Sequence, residues 1–166
     1  LWGERPFMIL VGESRMGKTR TALAFIWREA LKKPYFKREI CFCSILDLVR
    51  DMEGREWDER FHRYNNAHLL VIDDIHAATF RPKSAERFFE LIRNRHDQCQ
   101  PTIMTCTGQT DEILRWWTGE DERLLRFLTP ALNRIIEGRR IIRFGEERDA
   151  EVREDMLPAG GSVQLG

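Results

Sequence analysis

Short apolar runs alternate with longer amphipathic stretches along this chain. Phe7 to Val11, Glu39 to Ile45, Leu69 to Ile72, Thr102 to Cys106 and Arg140 to Phe144 have the length and character of strands. Leu69-Leu70-Val71-Ile72 is uncharged and rich in residues that suit a central position. The stretches between them carry the helical period. Lys18 to Leu31 predicts a helix with Leu23, Ile26, Trp27 and Ala30 on its inner face, stopped by Pro34. Leu46 to Met52 and Trp57 to Tyr64 predict two short helices around a charged turn, Glu53-Gly54-Arg55. Lys83 to Asp97 predicts a longer one with Phe88, Phe89, Leu91 and Ile92 inside. Glu112 to Trp117 and Glu122 to Ile136 complete the set, with Pro130 breaking the last into two pieces and Gly138 ending it. Strand alternating with helix is the pattern of an α/β fold, a parallel sheet covered by helices.

The length of 166 residues suits one domain. Residues 1–145 read as that domain, and 146–166 as a short helix followed by a flexible tail. The chain opens at Leu1-Trp2 with no methionine, which points to an excised domain lacking an N-terminal part. Net charge is zero, so any nucleic-acid surface has to be a local patch. The four cysteines, Cys41, Cys43, Cys99 and Cys106, lack C-x-x-C spacing and read as buried free thiols of a reducing, cytoplasmic compartment. No apolar run reaches the roughly 20 residues needed to cross a bilayer.

Gly12-Glu13-Ser14-Arg15-Met16-Gly17-Lys18-Thr19 matches the full phosphate-loop pattern, G-x-x-x-x-G-K-[ST]. The glycines allow backbone angles that turn successive N–H groups inward as a nest for phosphate oxygens. The helix that follows adds its N-terminal partial charge. Lys18 is placed to reach the β- and γ-phosphates of ATP, and Thr19 to put a hydroxyl on Mg²⁺. Arg20 lies just inside the helix and completes the candidate nucleotide contacts. The motif follows a buried strand and opens a helix, the context its chemistry demands.

About 55 residues beyond Lys18, the strand Leu69 to Ile72 ends in Asp73-Asp74. Ligands of open α/β sheets bind at the carboxyl ends of strands. Asp73 is the candidate to hold Mg²⁺ with Thr19. Asp74 is the candidate to orient or polarise an attacking water.

The phosphate loop, the Asp73-Asp74 strand end, the polar end of the fourth strand and Asn133-Arg134-Ile135-Ile136-Glu137-Gly138 occur in that order. Together they resemble the AAA+ ATPases of the bacterial helicase-loader and initiator group, the DnaC/IstB/DnaA-like clade, over roughly Phe7 to Phe144. The resemblance implies a P-loop NTPase of the AAA+/ASCE type with a five-stranded parallel sheet of order 5-1-4-3-2. It implies that Thr105-Cys106-Thr107 faces the γ-phosphate. Thr107 stands where loaders usually carry Asn, which shortens the reach. Arg134 looks like the arginine finger of the clade, acting in trans in an ATP-dependent homo-oligomer. A second Arg usual four residues earlier is replaced by Pro130, with Arg126 or Arg123 as substitutes. Too little chain follows Phe144 to build the lid domain of initiators, which favours the loader side.

The resemblance implies a slow ATPase, stimulated by assembly or DNA. It would act on single-stranded DNA and serve a replicative helicase or a transposase through the missing N-terminal region. Arg81, Lys83 and Arg87 form a basic cluster that reads as a solvated face or a DNA contact. Trp116-Trp117 reads as core or as an anchor for a partner. His62, His68, His76 and His96 show no metal spacing. Thr107 in place of Asn and Asp at position 74 keep open a switch module with little hydrolysis. Arg123 and Arg126 keep open a P-loop kinase of small molecules.

Overall fold

The computed structural model describes residues 6–32, 40–107, 112–119 and 121–145. Pro34 and the helix and tail expected over 146–166 lie outside these residues, as do the questions of a lid and of what precedes Leu1. Five strands form one sheet: β1 (Phe7–Gly12), β2 (Ile40–Ser44), β3 (Leu69–Asp73), β4 (Thr102–Cys106) and β5 (Arg139–Phe144). Their order is β2-β3-β4-β1-β5, the expected 5-1-4-3-2 read from the other edge, and every pairing is parallel.

The chain's longer segments supply the crossovers: α1 (Lys18–Lys32), α2 (Ile45–Glu53), α3 (Trp57–Asn66), α4 (Pro82–Asp97), α5 (Ile113–Thr118) and α6 (Leu125–Glu137). Alternate strand residues go to opposite faces. Phe7, Ile9, Leu70, Ile72, Met104 and Cys106 face a core that includes Leu48, Phe88, Leu91, Trp117, Leu128 and Ile135 of α2, α4, α5 and α6. Met8, Leu10, Leu69, Val71 and Ile103 face Ala22, Phe25 and Ile26 of α1. Both faces are covered, so β1 and β3 have the uninterrupted apolar sequence of buried parallel strands.

Four local expectations change. Cys99, expected to be buried, is exposed just beyond α4. The inner face of α1 is set by Ala22, Phe25 and Ile26, whereas Leu23 is exposed and Trp27 is 69 % exposed. The helix carries two adjacent apolar stripes, and periodicity cannot say which one meets the sheet. The side chain of Ala30 lies outside the described residues. Ile45 belongs to α2 and not to the preceding strand, because Ser44 caps that helix by accepting from the Asp47 amide at 3.1 Å.

Pro130, expected to split the last helix, sits inside an unbroken α6. Losing one backbone bond there costs about 3 kcal/mol. Burial of Leu128, Ala131, Leu132 and Ile135 against the rest of the core offsets it.

Candidate functional site

The carboxyl ends of β1, β3 and β4 lie side by side, and the two sequence motifs meet there. The loop from Gly12 to Gly17 joins β1 to α1, whose first turn is closed by the Thr21 amide donating to Gly17 O at 2.8 Å. Gly17 has φ +88°, a conformation that a side chain resists, and Arg15 joins it with φ 68°. At Gly12 the requirement is space, since a Cβ there would stand 2.7 Å from Phe144 O of β5. Glu13, Ser14, Arg15 and Met16 are exposed along the loop, as is Arg20 in the first turn of α1.

Lys18 is only 6 % exposed. Its Nζ donates to Gly12 O at 2.8 Å and to Glu13 O at 2.6 Å, so the ammonium lies under the loop it is meant to serve. A phosphate in the loop would exchange these carbonyls for phosphoryl oxygens, a stronger, charge-assisted contact.

Thr19 Oγ1 donates to Asp73 Oδ1 at 3.0 Å and lies 3.2 Å from Oδ2. The two proposed Mg²⁺ ligands are thus adjacent. Mg²⁺ keeps several waters and substrate oxygens, so a hydroxyl and one carboxylate are a sufficient protein contribution. The donor set fits the ion.

Asp73 is held from behind. Thr105 Oγ1, fully buried in β4, donates to Asp73 Oδ1 at 2.5 Å and accepts from the Asp74 amide at 2.8 Å. The strand register produces this contact: Ile72 pairs with Met104, so the next residues along are Asp73 and Thr105. Asp74 turns away with φ 55° and ψ 49°, a left-handed conformation that Asp tolerates. It is exposed just beyond the carboxyl end of β3.

Thr107, just past β4, is half-buried, and its amide donates to Nδ1 of His76 at 3.2 Å. Burial, opposed by the Lys18 charge, pushes the Cys106 thiol between these threonines up to about 12. It stays protonated and is no nucleophile.

Arg134 is not near these groups within one chain. Its guanidinium lies 5.2 Å from the Phe89 ring centroid on α4, and Nη1 donates to Pro130 O at 3.3 Å. Arg123 pairs with Asp121 at 2.8 Å, and Arg126 lies over Phe127. These two arginines line a cleft with Pro82, Glu122, Leu124 and Phe127, in which no phosphate-loop residue takes part.

The basic cluster after the acidic pair has a structural task. Lys83 Nζ donates to Glu53 O at 3.2 Å, and Arg87 donates to Met52 O. Both tie α4 to the turn between α2 and α3. Arg50, Arg55 and Arg60 are exposed around that turn and line a cleft with Asp51, Gly54 and Glu56, where Arg60 pairs with Asp51 at 3.2 Å and Arg50 pairs with Asp47 at 3.1 Å. Trp117 is fully buried, and its Nε1 donates to Ile75 O at 2.7 Å. Trp116 is half-buried, in T-shaped contact with His76.

The family resemblance placed Thr105 in a segment facing the γ-phosphate, and neither its bond to Asp73 nor that of the His76 ring to Thr107 was foreseen from the sequence.

Comparison with known proteins bears on this geometry. The family model described as IstB-like ATP binding protein matches residues 4–148. The chain belongs to this family.

Among curated proteins, the chromosomal replication initiator protein DnaA of Laribacter hongkongensis (strain HLHK9) is 28 % identical over 122 residues, covering 72 % of this chain and 24 % of the initiator. The chain therefore spans about a quarter of the length of the curated relatives it matches. Among solved structures, that of the DnaC helicase loader superposes with a TM-score of 0.64 at 20 % identity, covering 86 % of this chain and 80 % of the loader. The replication initiator DnaA bound to AMPPCP and single-stranded DNA superposes with a TM-score of 0.65 at 18 % identity, covering 87 % and 41 % respectively. These likenesses place the IstB-like domain in the fold of the helicase-loader and initiator group. Among the described residues, no helix is long and apolar enough to cross a membrane.

Proposed function

We propose that this IstB-like domain hydrolyses ATP to ADP and phosphate as part of a DNA-replication helicase loader or related DNA-transaction factor. The observation that carries the reading is Thr19 Oγ1 at 3.0 Å from Asp73, beside a phosphate loop whose Lys18 is buried beneath it. Gly12 to Thr19 bind the triphosphate through backbone amides and Lys18, with Arg20 at the helix start. Thr19 and Asp73 hold Mg²⁺, which when bound neutralises charge on the β- and γ-phosphates. Asp74 orients a water and accepts its proton as the water oxygen attacks the γ-phosphorus. The bond from that phosphorus to the β–γ bridging oxygen breaks, and ADP leaves. Thr107 contacts the γ-phosphate or the water.

Arg134 serves the site of a neighbouring copy, where it offsets charge developing on the transferred group. Its place on Phe89 at the α4–α6 surface is compatible with reaching outward. ATP-dependent self-association then sets the rate. Single-stranded DNA is the second partner. The DNA in the DnaA structure named above supports that, and the exposed Arg50 and Arg60 would exchange their carboxylate partners for DNA phosphates. A helicase or transposase client binds through other parts of the protein, and the site of action is the cytoplasm.

A second reading is a nucleotide switch with little turnover. Thr107 and the exposed Asp74, in place of a longer Asn and Glu, favour it. Rates of ATP hydrolysis against protein concentration, with and without single-stranded DNA, decide between the two. We expect a rate per subunit that rises with concentration, a loss of that rise in R134A with nucleotide affinity kept, and no nucleotide binding in K18A. Binding of ATP with no turnover under any condition leaves the switch. No binding at all overturns both.

A further inference from the structure

The strand ends beside the nucleotide site are joined by a histidine that the phosphate-binding machinery does not use. His76 sits in the middle of the single 3-10 turn Ile75–Ala77 that follows Asp74. Its Nδ1 accepts from the Thr107 amide at 3.2 Å, linking the segment after β3 to the segment after β4. Its ring makes a T-shaped contact with Trp116, with centroids 5.8 Å apart and planes at 67°. Thr79 Oγ1 in turn donates to Trp116 O at 3.2 Å.

The turn itself is fixed on its other sides. The Ala77 amide donates to Asp74 O at 2.8 Å, and the Trp117 indole to Ile75 O at 2.7 Å. On the near side Thr105 Oγ1 accepts from the Asp74 amide. The acidic pair and the end of β4 are therefore tied twice, by Thr105 below and His76 above. Without the upper tie, Thr107 lies one residue beyond the last strand residue, Cys106, free to swing relative to Asp74. A misplacement of about 1 Å in such a pair costs on the order of 100-fold in rate at worst.

We propose that His76 is a positioning residue for hydrolysis, its unprotonated Nδ1 locking Thr107 to the turn that carries Asp74. This rests on the ATPase reading above. The ring supplies an acceptor where a backbone donor needs one, and Trp116 fixes the plane of that ring. Packing alone would need only an aromatic ring, whereas positioning needs the acceptor at the Nδ1 place.

Three variants separate these roles. His76→Phe keeps the ring and loses the acceptor. His76→Asn keeps an acceptor near the Nδ1 place and loses the ring. His76→Gln moves the acceptor one carbon outward, beyond the reach of the Thr107 amide. Loss of one such hydrogen bond corresponds to about a tenfold fall in kcat. We expect that fall in H76F and H76Q, with KM and ADP affinity within about twofold of wild type, and H76N within about threefold of the wild-type kcat.

Nitrogen-15 NMR of the wild-type protein should show a scalar coupling across the hydrogen bond between Thr107 N and His76 Nδ1. Should H76F fail to fold, H76Q and this coupling carry the test. Wild-type kcat in H76F or H76Q overturns the proposal, as does equal slowing in all three variants. Wild type without turnover removes the ATPase reading, and this role with it. Wild-type turnover with an undiminished H76F rate removes this role alone.

Discussion

Thr19 and Asp73 stand 54 residues apart in the chain and 3.0 Å apart at the mouth of the phosphate loop. The hydroxyl donates to a carboxylate oxygen, so each group is oriented before substrate arrives. If both hold the metal, T19A and D73N weaken Mg²⁺-ATP binding by about tenfold or more. Nucleotide binding in the presence of a chelator stays within about twofold, because the loop amides and Lys18 are intact. Calorimetry with and without Mg²⁺ checks this. Equal losses in both conditions would show that the pair shapes the loop and does not bind metal.

Thr105 offers a sharper test of the geometry behind Asp73. T105V keeps the shape but leaves the Asp74 amide without its acceptor and Asp73 with Thr19 as its remaining hydroxyl donor. Supporting partners of metal ligands are worth about 10- to 100-fold in affinity or activity. We expect T105V to lose about tenfold in Mg²⁺-dependent turnover and T105S to recover most of it. A T105V rate equal to wild type would sink the assignment.

Arg95 should matter for stability alone. It is fully buried, and its guanidinium donates to the carbonyls of Tyr64, Asn65, Ala67 and Pro101 and to Thr102 Oγ1 at 2.8 Å. No carboxylate is among these partners. Burial lowers its pKa to about 10, so it stays charged at neutral pH. The cluster gathers the loops that enter β3 and β4, at the opposite end of the sheet from the nucleotide site. R95M takes this donor from the buried carbonyls of Tyr64, Asn65 and Ala67 and should cost at least about 3 kcal/mol in urea unfolding. R95K should recover less than half, since one ammonium cannot span the fork. A loss below about 1 kcal/mol would contradict this role.

Alkaline pH should unfold the domain through two buried thiols. Cys43 is pushed from 9.0 up to about 12, by burial first and then by Cys41, Asp51 and Asp47. Cys106 is pushed up to about 12, again chiefly by burial. Between pH 9 and 10 the unfolded thiols ionise while the folded ones keep their protons. Stability from these thiols is full below pH 9 and falls as pH rises toward 12. The expected loss is about 2 kcal/mol across that first unit. Urea midpoints at pH 8, 9 and 10 measure it. A C43A/C106A variant should show a flatter dependence, and an unchanged slope in that variant would refute the explanation.

Much of the site was legible because its chemistry needs fixed residue types in contiguous order. Gly12, Gly17, Lys18 and Thr19 fall within eight positions, and Asp73-Asp74 closes an apolar run. The supporting shell was not legible. His76 contacts Thr107 and Thr105 contacts Asp73 at separations of 31 and 32 residues, with nothing local to mark them. The basic cluster is a similar case: the carbonyls that Lys83 and Arg87 donate to lie in the turn at Met52 to Gly54, 30 and 35 residues away.

The sequence by itself determined the phosphate loop, the acidic strand end, the alternation of strand and helix and, through family likeness, the strand order. Those features are written in short windows, where period and residue type act locally. Only the tertiary structure decided which stripe of α1 meets the sheet, that α6 runs through Pro130, and that Arg95 gathers four carbonyls without a counter-charge. Each of those depends on what lies across the gap in space. Strand register and core packing select that neighbour, and no window of the chain contains it.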